Sequence, residues 1–99
     1  MSSRDDYVEV AERLQEFYAK YPEGSLQGSW EWTADGSLIV YRAAAYRTPD
    51  DARPGVGYAQ EPYPGKTAFT KGSELQNAET SAWGRAMAAL GIATKKGIA

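Results

Sequence analysis

Residues 25–47 read SLQGSWEWTADGSLIVYRAAAYR, and this stretch decides the fold class. Leu26, Gly28, Trp30 and Trp32 alternate with Ser25, Gln27, Ser29 and Glu31. That period of two is the pattern of a strand with unlike faces. Asp35-Gly36 then marks a hairpin turn, because glycine reaches the positive φ of tight reversals without a Cβ clash. A second, longer strand is predicted from Leu38 to Arg47. It places Leu38, Val40, Arg42, Ala44 and Tyr46 on one face, and Ile39, Tyr41, Ala43, Ala45 and Arg47 on the other. The polar TPDDARPG loop leads to GVGYAQ, a short third strand. Three strands with hairpin connections predict an antiparallel sheet.

Helices flank this sheet on both sides in sequence. Asp5 and Asp6 offer N-caps for a first helix over Tyr7–Tyr21, which Pro22-Glu23-Gly24 ends. Tyr7, Ala11, Leu14, Tyr18 and Tyr21 fall at helical spacing, widened by Val8 and Phe17; Glu9, Glu12, Arg13, Glu16 and Lys20 take the wet side. After the third strand, EPYPGKTAFTKG is a long irregular connection, of a length often associated with function. Ser73 and Gln76 have the spacing of a capping box, opening a second helix over Glu74–Leu90 that Gly91 closes. The predicted fold is α+β: an N-terminal helix, a three-stranded antiparallel sheet and a long C-terminal helix packed on the sheet.

The second helix is unusually thin. Ala78, Ala82, Ala86 and Ala89 lie near one face, with Thr80, Gly84 and Ala88 beside them. Small residues at this spacing let a helix backbone approach a neighbour, for which the sheet, with Ala43, Ala44 and Ala45, is the expected surface. Leu75, Met87 and Leu90 supply the larger contacts. Gly84 costs about 0.5–1 kcal/mol relative to Ala in a helix interior, so close packing must offset it.

Composition narrows the chemistry. The 99 residues contain neither Cys nor His, which removes disulfides, thiolate nucleophiles and the commonest general base and metal ligand. No apolar run reaches the roughly 18 residues of a membrane span, and the N-terminus has no export-signal pattern, so a cytoplasmic, non-membrane protein is expected. Gly65-Lys66-Thr67 resembles the end of a phosphate-binding loop, but Gln60 stands where that loop needs glycine. Glu61, Glu74 and Glu79 lack metal-ligand spacing. The chain is therefore expected not to be an enzyme, with no catalytic residues, metal or cofactor.

Charge is divided along the chain. Residues 1–41 carry eight acidic and three basic side chains, whereas residues 42–99 carry five acidic and eight basic. In the basic part, cations interleave with aromatics: Arg42, Tyr46, Arg47, Arg53, Tyr58, Tyr63, Lys66, Phe69, Lys71, Arg85, Lys95 and Lys96. Single-stranded nucleic acid is held by such mixtures, cations on phosphates and rings on bases. The candidate DNA-binding set is Arg42, Arg47, Arg53, Tyr58, Lys66, Lys71, Arg85, Lys95 and Lys96. A surface salt bridge to Glu79 or Glu74 is the competing role for Arg85.

GSELQNAETSAWGRAMAALGIA, residues 72–93, resembles the signature helix of phage single-strand annealing proteins, where an acid-Asn-x-Glu-Thr-Ser-Ala-x-Gly-Arg-Ala run recurs. GSLIVYRAAAYR followed by GVGYAQ is similar to a strand pair of the eukaryotic annealing recombinase of the Rad fifty-two type. The likeness spans roughly Tyr7 to Ile92. It implies a β-β-β-α core, assembly into rings or helical filaments, and ATP-independent annealing of complementary single strands in phage recombination. It also implies the cytoplasm of an infected bacterium, and a phage exonuclease or host single-strand binding protein as a further partner. On this resemblance Arg85 is the one retained phosphate contact of the helix, Gly84 and Ala88 standing where relatives are basic. Arg42 and Arg47 would wall the groove, and Tyr58 would occupy the Gly-Tyr of the third strand.

Residues 1–99 are accordingly expected to form one annealing core domain, with 1–6 and 93–99 as flexible or assembly-dependent ends. A three-stranded sheet has two unpaired edges. Trp30, Trp32 and Trp83 exceed what so small a core absorbs, so an oligomer interface is expected there, with Trp83 open between core and neighbour. From another class, the acidic first helix suits a non-catalytic protein-interaction module.

Overall fold

The computed structural model describes residues 3–68 and 70–92, and side chains from residue 10 onward. Its elements are α1 (Ser3–Lys20), β1 (Ser25–Trp32), β2 (Leu38–Tyr46), β3 (Gly55–Pro62) and α2 (Glu74–Ala89). The sheet is antiparallel in the order β1-β2-β3. The α2 helix packs over β2 and β3, and α1 packs on α2. This is the predicted α+β arrangement. It leaves the opposite sheet face without a covering element among the described residues.

The face assignment read from alternation holds. Ile39, Tyr41, Ala43 and Ala45 are buried beneath the helices. Register puts Leu26, Gly28, Trp30 and Trp32 of β1, and Gly55, Gly57, Ala59 and Glu61 of β3, on that same face. Between β1 and β2 the hairpin turn is closed by Gly36 at φ 73°. The Asp35 carboxylate accepts from the Ser37 amide (3.0 Å), the Ser37 hydroxyl (2.7 Å) and the Thr33 hydroxyl (2.9 Å). These bonds, the Ser37 amide foremost, lower the Asp35 pKa to about 2.

Close packing explains the thin helix. A Cβ placed on Gly55 would come within 2.4 Å of the Ala86 carbonyl oxygen, and one on Gly57 within 2.5 Å of the Ala86 nitrogen. The α2 backbone therefore rests directly on β3, and Ala78, Ala82 and Ala86 are fully buried at the contact. Gly84, however, does not face the sheet. A Cβ there would meet Arg13 Nη1 at 3.0 Å and Val10 Cγ2 at 3.2 Å, so this glycine makes room for α1.

The α1 stripe is rotated from the predicted one. Val10, Arg13 and Phe17 are buried, with Leu14 packed against the core, while Ala11 and Tyr18 are exposed. Because α1 packs chiefly on α2, its buried stripe is narrow. Arg13, expected in solvent, lays its stem inside and donates from Nη1 to the Gly84 carbonyl at 3.1 Å. Phe17 is fully buried, and a Cβ on Gly24 would strike its ring at 2.9 Å. Among the described residues α1 is already helical at Ser3, so Asp5 and Asp6 lie within the helix rather than at its cap.

The ends of α2 differ from expectation at one terminus. Ser73 is the N-cap residue but makes no side-chain capping bond, so the Ser73–Gln76 box does not form. Instead the Glu74 carboxylate turns back, accepting from the Gly65 amide at 2.8 Å and the Gly72 amide at 2.9 Å. At the other end Gly91 has φ 89°, its amide bonds Ala88 O at 2.9 Å, and the Ile92 amide bonds Met87 O at 3.1 Å. This is a Schellman closure, with Ile92 and Met87 both buried.

Gly57→Ala should destabilise the domain by about 1–3 kcal/mol, because backbone on both sides blocks the added methyl. Denaturant unfolding checks this, with Ser29→Ala as an exposed control that should change little.

Candidate nucleic-acid interface

Four of the cations read from sequence, Arg53, Lys66, Lys71 and Arg85, lie beside β3 or in the loops at its ends. Arg42 on β2 stands directly across from Tyr58 on β3, both on the helix-free face. Both are exposed, Tyr58 by 58%. Tyr58 also reaches the β3 edge, where Ala59, Gln60, Glu61, Ser81 and Arg85 join it in lining an open cleft of about 260 Å³. The close seat of α2 on Gly57 produces this cleft, since the Arg85 Cβ would lie 2.7 Å from a Gly57 Cβ. Arg85 is thereby carried alongside β3, with its guanidinium exposed.

Arg85 is held lightly. Its Nη1 donates to the Ser81 carbonyl at 3.3 Å, within the same helix. The expected alternative, an ion pair with Glu79 or Glu74, does not form. Glu79 accepts from the Tyr41 hydroxyl at 3.1 Å, and Glu74 holds the two glycine amides. Burial, then the Glu79 carboxylate, raises the Tyr41 pKa.

The loops at both ends of β3 carry further cations. Arg53 is exposed two positions before Gly55, and Lys66 and Lys71 are exposed in the connection after Pro62. Because β3 and α2 run antiparallel, Arg53 lies toward the C-terminal end of α2 and the two lysines toward its N-terminal end. Arg85 is separated from Glu74 by roughly 16 Å along the helix axis at 1.5 Å per residue. By contrast β1, SLQGSWEW, contains no Lys or Arg.

Arg47, expected to wall a groove, is engaged within its own loop. Its Nε bonds Asp51 Oδ2 at 2.8 Å and its Nη2 bonds Asp51 Oδ1 at 2.9 Å, while Nη2 also reaches the Arg53 carbonyl at 3.0 Å. This bidentate pair ties the β2–β3 loop together and holds the Asp51 pKa well below the usual carboxylate range. Lys95, Lys96 and Phe69 lie outside the described residues.

The three tryptophans divide. Trp83 packs against the core with its indole nitrogen buried and close to the Tyr41 hydroxyl. Trp30 and Trp32 are each 45% exposed, and Trp32 meets Tyr63, itself 46% exposed. The rings pack edge to face, 5.5 Å apart for Trp30–Trp32 and 4.8 Å for Trp32–Tyr63. They sit on the helix-side face at β1, which α2 does not reach. Sequence reading missed Tyr63 as a member of this cluster; only strand register brings it beside Trp32. Among the described residues no three acidic side chains gather as a metal site, and no helix is long and apolar enough to cross a membrane.

The loop carrying Lys66 and Lys71 depends on an ionised Glu74. Its two amide bonds lower the Glu74 pKa, so their contribution is present above the ordinary carboxylate range and is lost as pH falls through the lowered value. Glu74→Gln at neutral pH should therefore speed amide exchange at Gly65 and Gly72 and tryptic cleavage after Lys66. In the unmodified chain, lowering the pH through the Glu74 pKa should reduce the protection of these two amides relative to their intrinsic exchange rates. Comparison with known proteins finds no matching family model, no matching curated protein and no matching solved structure.

Proposed function

We propose that this protein binds single-stranded DNA along the β3 edge and anneals complementary strands without ATP, as a homo-oligomer in phage recombination. One observation carries the reading: Arg53, Lys66, Lys71 and Arg85 lie on the β3 side of the sheet with the exposed Tyr58, Arg42 stands beside Tyr58 on the central strand, and β1 contains no Lys or Arg. The resemblance of residues 72–93 to the annealing-protein helix points the same way. In this reading Arg85 and Arg42 contact phosphates from either side of β3, and Tyr58 stacks on a base between them. Lys66, Lys71 and Arg53 extend the track in both directions. Glu61 in the cleft and a net charge of −2 keep a single site weak. Repeating the cleft in a ring or filament would raise the affinity, since linked sites bind far more tightly than isolated ones.

The competing reading, a protein-interaction module, draws on α1, where Glu12 and Glu16 are exposed. Gel shifts with labelled oligonucleotides separate the two. The annealing reading requires binding at low salt that weakens as salt rises, with little sequence preference. Arg85→Ala and Arg42→Ala should weaken every oligonucleotide about equally, and each should reduce the salt slope by about 0.7. Tyr58→Phe should keep affinity that Tyr58→Ala loses. No single-strand binding at low salt would overturn the reading and leave the interaction module.

A further inference from the structure

The ladder bonds show which way each strand edge points. Thr33 donates its amide to Leu38 O at 3.0 Å, and Tyr63 donates to Ser37 O at 2.8 Å. In an antiparallel ladder such bonds join directly opposed residues and recur at every second pair. Ser25, Gln27, Ser29 and Glu31 therefore bond inward to β2. Leu26, Gly28, Trp30 and Trp32 turn their amides and carbonyls to the outer side of β1, where no strand pairs with it among the described residues. On β3 the outward positions are Val56, Tyr58, Gln60 and Pro62.

The two edges are unlike. The β3 edge ends in a proline without a donor and is flanked by α2 and the Arg85 cleft. The β1 edge has neither proline nor lysine among its eight residues, and its single charge is Glu31. An edge left this plain favours pairing with another strand. Beside it stands the half-exposed Trp30–Trp32 cluster.

We propose that β1 pairs with β1 of a second copy, antiparallel about a two-fold axis through Ser29, making one continuous six-stranded sheet. The sequence of β1 is complementary to itself in this register. Gly28 opposes Trp30 of the second copy and Leu26 opposes Trp32, so each large ring meets a small or apolar neighbour on the helix side. On the other face Gln27 opposes Glu31, giving the carboxylate an amide donor, and Ser29 meets its own copy. The outward amides and carbonyls of Leu26, Gly28, Trp30 and Trp32 all find partners. A two-fold contact at Glu31 would set like charges opposite each other, and one at Gly28 or Trp30 would separate Gln27 from Glu31. The contact is isologous, whereas rings and helical filaments of single subunits use head-to-tail contacts, and it leaves both β3 edges free. That last advantage rests on the DNA reading; the complementarity of β1 does not.

Sedimentation or light scattering without DNA tests the dimer, so that failure here is distinct from failure of the DNA reading. Gln27 is exposed, and substitutions there should leave thermal unfolding of dilute protein unchanged. Gln27→Lys places cations opposite both Glu31 side chains and should tighten the dimer; Gln27→Glu should weaken it. With two symmetric pairs the expected change is roughly two- to thirtyfold in either direction. Larger assemblies built from this dimer must contain an even number of subunits. A monomer at the highest soluble concentration, a dimer indifferent to both substitutions, or a ring with an odd number of subunits would each overturn the proposal.

Discussion

The constraint on which the rest depends is the direct contact between the α2 backbone and β3. Gly55 and Gly57 have no room for even one carbon, and the residues facing them, Ala82 and Ala86, are fully buried. A helix seated this closely gains dispersion contact along its whole length, but it tolerates no larger side chain on that face. The small-residue composition of α2 is therefore a packing requirement of the sheet, imposed from β3 as much as from the helix.

Once that face is fixed, every other α2 side chain has its direction. Arg85 is directed to the β3 edge, Glu79 to the Tyr41 hydroxyl, and Trp83 onto the core. Gly84 is turned away from the sheet, where it receives α1 and the Arg13 guanidinium. The same seating leaves β1 outside the shadow of the helix. Trp30 and Trp32 are exposed not because the sequence pattern fails, but because two helices cover only part of a three-stranded sheet.

The sheet thus has two edges of different character. Along β3 the cations converge from a strand, a helix and two loops, so positive charge is concentrated without being contiguous in sequence. Along β1 the surface is aromatic and nearly uncharged. Such separation keeps the cationic and the aromatic surfaces from interfering electrostatically with each other.

By itself the sequence determined the strands, the hairpin and the glycine stop of α2. Each rests on neighbours within a few residues: alternation across a pleat, and positive φ at Gly36 and Gly91. The face assignment of β2 was legible for the same reason. The tertiary structure decided what depends on distant partners. It buried Arg13 because Gly84, seventy-one residues away, offered a carbonyl, and it rotated the α1 stripe accordingly. It gave the α2 start to Glu74 because the loop folds Gly65 back to it. It bound Arg47, one position past β2, to Asp51 yet left Arg42 on β2 exposed. Residue type showed that the second half of the chain carries more basic than acidic side chains. Which arginines face outward was decided by register and by the seat of one helix on two glycines.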